Sequence, residues 1–248
     1  MITRIKGENL YPHVELALKV YADSRGAELD KRFHKYDEFH SYGLTASKFH
    51  EVFRRFKPSF KGLPLSDRLR LAERLFASGM SEQAAMANGI LALSVKELTP
   101  AHLPLIDRFL DDFHSWSTTD DFCVNVLQPL FLHYPKEVLK LLKKWNKSPN
   151  RWKRRASVVA FVRKVGASGN YTDEALMLCE ALIWDKEDLV QKGVGWALKD
   201  MMRGDKAKVL AYVKGLRRRG VSAVITLYAI RNLKGRERKT VLAIRPTG

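Results

Sequence analysis

Residues 137–162 read EVLKLLKKWNKSPNRWKRRASVVAFV, and residues 174–199 read EALMLCEALIWDKEDLVQKGVGWALK. Laid over one another at an offset of 37 residues, they match in kind. Leu139 falls on Leu176, Leu142 on Cys179, Trp145 on Leu182, Trp152 on Leu189, Arg155 on Lys192, Ala160 on Ala197 and Phe161 on Leu198. Apolar residues recur within each copy at helical spacing, as in Val138, Leu139, Leu141, Leu142 and Trp145. A break near Ser148-Pro149 divides the first copy into two helices. A third copy precedes these at an offset of 36, bringing Trp116 onto Trp152 and Cys123 onto Val159.

A helix pair repeated with a period in the high thirties is the pattern of a HEAT-like solenoid. Neither helix of a pair can bury its apolar stripe alone, so neighbouring pairs must stack. The expectation is an all-α protein: a curved α-solenoid of about six antiparallel helix pairs, forming a single domain over residues 1–248. The repeats are clearest from Thr99 to Met202, and basic repeats follow from Arg203 to Gly248. Breaks are expected at Lys57-Pro58, Gly62-Leu63-Pro64, Ser78-Gly79, Thr99-Pro100, Tyr134-Pro135, Ser148-Pro149 and Gly166 to Gly169. Ser81-Glu82-Gln83 and Tyr171-Thr172-Asp173-Glu174 read as capped helix starts.

The 248 residues carry 44 Lys+Arg against 27 Asp+Glu, a formal charge of +17. Such an excess favours a polyanionic partner. It is unevenly placed. Lys136 to Lys164 holds eleven cations against Glu137 alone, and Arg203 to Gly248 holds thirteen against Asp205 and Glu237. Between Glu97 and Asp121 the balance reverses, with Glu97, Asp107, Asp111, Asp112, Asp120 and Asp121 against Arg108. An acidic island in a polyanion binder suggests a carboxylate with a task beyond solubility.

Cys123 and Cys179 sit in apolar runs and read as reduced, packed thiols, too few for a disulfide or zinc framework. The N-terminus, Met1 to Lys6, lacks the apolar stretch of a signal peptide, and no run is long enough to span a membrane. An intracellular, cytoplasmic protein is expected, nucleoid-associated if bacterial. His34, His40 and His50 lack metal-ligand spacing, so no metal is expected, and no phosphate loop or dinucleotide fingerprint calls for a cofactor.

The repeat register brings the starts of three second helices into line: Trp116 to Asp121, Trp152 to Arg155, and Gln191 to Trp196. Trp116 and Asp120 are four apart and share a helix face. Trp116-Ser-Thr-Thr-Asp120, Trp152-Lys-Arg-Arg155-Ala and Lys192-Gly-Val-Gly195-Trp196-Ala-Leu resemble the three signatures of the AlkD-like DNA alkylation-repair glycosylases. Where that family often carries an acid after the first tryptophan, this chain has Ser117.

The resemblance implies a DNA glycosylase that removes N3- or N7-alkylated purines from duplex DNA without a cofactor. Its catalytic carboxylate would be Asp120, its aromatic walls Trp116 and Trp196, and its phosphate-binding arginine Arg155. Arg154, Lys153 and Lys192 are further DNA-binding candidates, and Asp121 is the alternative acid. The partner would be alkylated double-stranded DNA, bound by a monomer. A catalytically silent DNA-structure binder and a protein-interaction scaffold are the other functions this pattern admits. Trp145, Trp152 and Trp184 are expected to pack between repeats. Arg217-Arg218-Arg219 reads either as a DNA-backbone contact or as a charged loop.

Overall fold

The computed structural model describes residues 7–35 and 38–246; Met1 to Lys6, read above for a leader, lie outside them. Among the described residues the regular elements are helical, and the one extended feature is an isolated bridge between His40 and Met80. No described helix is long and apolar enough to cross a membrane. The chain packs as two compact units that part after Leu130.

The first unit contains α1 (Gly7–Lys19), α2 (Ser24–His34), α3 (Ala46–Gly62), α4 (Leu65–Phe76), α5 (Ser81–Ser94), α6 (Leu103–Phe109) and α7 (Trp116–Phe122). α4 packs on α1 and α5, and α5 packs on α3 and α7. Pro58 does not break the chain as its sequence suggests. It lies inside α3, on the exposed side, and the break comes at Leu63. The start at Ser81 is a helix start, but no side chain caps it. Glu82 is buried instead, and its carboxylate accepts from the backbone N–H groups of Tyr42 and Leu44 at 2.9 and 3.1 Å. An acid within the expected capped start therefore pins a distant loop. α7 runs into a π-helical turn at Cys123–Leu127, and the unit boundary falls within α8 (Gln128–His133).

The second unit contains α9 (Pro135–Trp145), α10 (Arg151–Val159), α11 (Arg163–Ser168), α12 (Thr172–Glu180), α13 (Asp188–Met201), α14 (Lys206–Arg218), α15 (Ala223–Ala229) and α16 (Gly235–Leu242). The first and second helices of successive pairs start 37 residues apart, Pro135 to Thr172 and Arg151 to Asp188, matching the sequence offset. The second helices α10, α13 and α15 stack in turn, while α9, α12 and α14 each pack on the second helix of their own pair.

Val138, Leu142 and Trp145 are fully buried on α9, and Trp152 is buried on α10, as expected of residues between repeats. Asn146 seals the same seam, donating from Nδ2 to Ser157 Oγ at 2.9 Å and to the Leu178 carbonyl at 3.1 Å. Trp184 departs from expectation. It stands in the turn after α12, 62% exposed, while Leu182 and Ile183 of the same turn face inward and are buried. Both cysteines are buried, and burial pushes the Cys179 thiol up, so it serves as a small apolar group.

The Gly193-Val-Gly195 segment sets how closely α13 can be approached. A Cβ at Gly193 would touch Arg155 and Val159 of α10 at 3.4 Å. One at Gly195 would lie 2.7 Å from Tyr228 Cβ and 3.0 Å from the Ile225 carbonyl oxygen. Alanine normally gains about 1 kcal/mol over glycine inside a helix, but overpacking a seam costs about 1–3 kcal/mol. Gly195→Ala is therefore expected to lower the urea midpoint. Gly215→Ala, in α14 with open space around it, should raise stability by about 0.5–1 kcal/mol.

Candidate functional site

In the first unit, α7 presents the candidate carboxylate and the first candidate tryptophan. Ser115 caps the helix, its Oγ accepting from the Thr118 N–H at 3.1 Å. Trp116 is the first helical residue and is half-buried. Its position corresponds to Arg151 rather than Trp152, because the helix caps Ser115 and Asn150 lie 35 residues apart, not 36. That single-residue difference leaves Trp116 partly open while Trp152 turns into the core. Asp120 follows one turn later, also half-buried, on the same helix face as Trp116.

Asp121 is exposed, and its carboxylate accepts from Asn125 Nδ2 at 2.6 Å. Buried Asn88 of α5 donates to the Thr118 carbonyl at 3.1 Å and so fixes α7 from below. The π-helical turn after Phe122 is of a kind often found beside functional residues. In the acidic island before α7, burial raises the Asp112 carboxyl above its ordinary range, with His114 opposing.

The indole of Trp116 has partners that sequence spacing does not reveal. His34, at the end of α2, stacks on it with centroids 5.2 Å apart and planes 24° from parallel. Phe33 meets it edge-on at 5.7 Å. His34 serves here as an aromatic and hydrogen-bonding partner. Among the described residues no three His, Cys, Asp or Glu side chains group as a metal site requires.

In the second unit, the basic run on α10 divides by burial. Arg154 Nε donates to Asp185 Oδ2 at 2.6 Å, and Nη2 donates to Oδ1 at 3.3 Å. Its Nη1 serves the carbonyls of Ser148 and Pro149 at 2.9 and 2.8 Å. Lys153 is buried. Arg155 is 5% exposed, and its Nη1 donates to the Leu189 carbonyl of α13. Lys192 is exposed and pairs with Asp188 one turn back, at 2.5 Å.

Trp196 is half-buried on α13, with the Arg163 guanidinium and the Lys199 ammonium each 5.9 Å from its ring. Lys199 also lies 5.6 Å from the Tyr228 ring, which Arg231 approaches at 5.9 Å. Cations over ring faces are favoured electrostatically. Arg163 reaches this row from a left-handed backbone, φ +54°, an uncommon conformation for a residue with a side chain. Buried Asp200 holds it there, accepting the Arg163 N–H at 2.7 Å and pairing with Lys199 at 3.2 Å. Lys199 could have been found from its three-residue spacing to Trp196. Arg163, Tyr228 and Arg231 arrive by tertiary packing and carried no such signal. In the triple arginine, Arg219 binds the Glu180 carboxylate through both Nη atoms, and Arg217 donates to the carbonyls of Leu242 and Ile244.

Trp116 and Asp120 on α7, and the cation–aromatic row on α13 and α15, thus belong to an all-helical chain. The DNA alkylation repair enzyme family matches residues 14–233, and the chain belongs to it. It is similar in fold to a solved protein described as a predicted DNA alkylation repair enzyme from Enterococcus faecalis. The two share 15% identity over 85% of this chain and 96% of the other, with a TM-score of 0.71. No curated protein matches the chain.

Arg154 and Asp185 are 17% and 7% exposed, so removing the guanidinium would strand a carboxylate away from water. Arg154→Ala is expected to cost about 3 kcal/mol of stability, measured as a fall in the urea midpoint at unchanged slope.

Proposed function

We propose that the protein is a DNA glycosylase acting on N3- and N7-alkylated purines in duplex DNA, an entry step of base excision repair inside the cell. Family membership supports a role in alkylation repair. The observation that carries the finer reading is the pair on α7, with Trp116 at the helix start and Asp120 one turn on, both partly open to ligand.

Alkylation at N3 or N7 makes the purine cationic and a good leaving group. The C1′–N bond breaks with its electron pair passing to the purine, which becomes neutral. Positive charge develops on the sugar as an oxocarbenium-like centre. The Asp120 carboxylate stabilises that charge. It also orients a water whose oxygen bonds to C1′ and whose proton leaves to the carboxylate or to solvent. The indole of Trp116 favours a cation across its face. The products are a free alkylated base and an abasic site, and no cofactor enters the balance.

Phosphate contacts fix register rather than sequence. In this reading they come from exposed Lys192 and Arg163 and from Arg155, whose guanidinium Leu189 orients. Arg154 and Lys153 form the frame beneath. The exposed Lys192–Asp188 pair is worth little and yields readily to a phosphate.

Asp120→Asn is expected to slow release of 7-methylguanine from methylated duplex by about 10²–10³-fold, with affinity for undamaged duplex kept. Base release by wild type and variant alike would reject the carboxylate role. Tight duplex binding without release by the wild type would leave a silent binder, and no duplex binding at moderate salt a protein scaffold. Arg163→Ala and Arg155→Ala should each weaken damaged and undamaged duplexes alike and lower the salt slope by about one. Arg154→Ala should leave that slope unchanged.

A further inference from the structure

We infer that His34 is a positioning residue for Trp116. Its effect on base release rests on the glycosylase reading above, while its effect on the indole does not.

Trp116 is the first residue of its helix and half-buried, so its own helix and core packing constrain the side chain weakly. The constraint comes from 82 residues earlier in the chain. The His34 imidazole lies between two rings, 3.7 Å from Phe39 at 8° from parallel and 5.2 Å from Trp116 at 24°. Phe39 is 3% exposed and gives the stack a fixed floor. His34 Nδ1 lies 3.0 Å from the Asp30 carbonyl, which can only accept, so Nδ1 carries the hydrogen. His34 Nε2 lies 3.1 Å from Ser117 Oγ, which also lies 2.9 Å from Ser115 Oγ. The ring is thus held at both nitrogens and cannot turn about its own axis.

Ser117 is the residue after Trp116, so the imidazole that stacks on the indole also grips the adjoining backbone position. The serine that departs from the family pattern supplies a hydroxyl that links His34 to the cap Ser115. The loop carrying Phe39 is secured beyond it by Glu82, through Tyr42 and Leu44. An indole held at a set angle can face a developing sugar cation, whereas one sampling several rotamers meets it only part of the time. Loss of His34 should therefore fall on the chemical step more than on duplex binding.

The test uses the full-length protein labelled with 5-fluorotryptophan, which has five tryptophans. The Trp116 ¹⁹F resonance is identified by its absence in Trp116→Phe. In His34→Ala that resonance should broaden or shift while those of buried Trp145 and Trp152 stay in place. Single-turnover release of 7-methylguanine should fall by about 10- to 100-fold, with duplex affinity changed by less than about threefold. His34→Phe keeps a ring in the stack and should restore most of the resonance sharpness and of the rate. A sharp, unshifted Trp116 resonance in His34→Ala overturns the inference. So does a rate loss accompanied by shifts of Trp145 and Trp152, which marks general unfolding. If wild type releases no base, the glycosylase reading falls, and the ¹⁹F spectrum still decides whether His34 holds Trp116.

Discussion

The close seam between α13 and its neighbours is the constraint on which the second unit depends. An amphipathic helix of eleven residues, such as α9, cannot persist alone in water. Its stability comes from covering a neighbour's apolar stripe, and here the stripes meet across α13. Glycine at 195 removes the Cβ atom that would hold α15 away. The same closeness puts Trp196 beside Lys199 and Tyr228, and Asp200 under Arg163. A wider seam would lose packing energy and the row of cations together.

Within that frame the positive charge separates into two populations. Arg154 and Arg155 stand in the densest basic run, yet they are covered, with carbonyls or Asp185 as partners. Stranding a buried partner costs several kcal/mol, whereas an exposed ion pair contributes under about 1 kcal/mol. Buried Arg155 and the largely covered Arg154 are therefore structural first, and Arg155 meets a ligand only in the orientation Leu189 sets. Arg163 and Lys192 are open to solvent and can exchange water or a weak partner for a phosphate. A net charge of +17 says that a polyanion is welcome; burial says which cations can greet it.

On α7 the same logic applies to an aromatic side chain. A tryptophan at a helix start, half in solvent, is poorly constrained by the helix itself. The Phe39–His34–Trp116 stack supplies the missing order with apolar area, ring contact and two hydrogen bonds on one imidazole. The segment from α2 to Leu44 thus contributes to the environment of a residue that lies far along the chain. Glu82 links it to α5, and Asn88 of that helix holds α7.

Periodicity and repeat spacing alone determined the helical class, the 37-residue pairing of α9–α10 with α12–α13, and the burial of Trp145 and Trp152. They also placed Trp116 and Asp120 on one face, because a four-residue spacing is a local property of a helix. Tertiary structure decided the rest. It left Trp184 exposed, kept Pro58 inside α3, made Glu82 a loop anchor, and brought His34 to Trp116 and Arg163 to Trp196. Each of these depends on which distant segment covers a side chain or accepts its hydrogen. The pattern of a single stretch carries no record of that neighbour, since solvation and pairing are settled only when the segments meet.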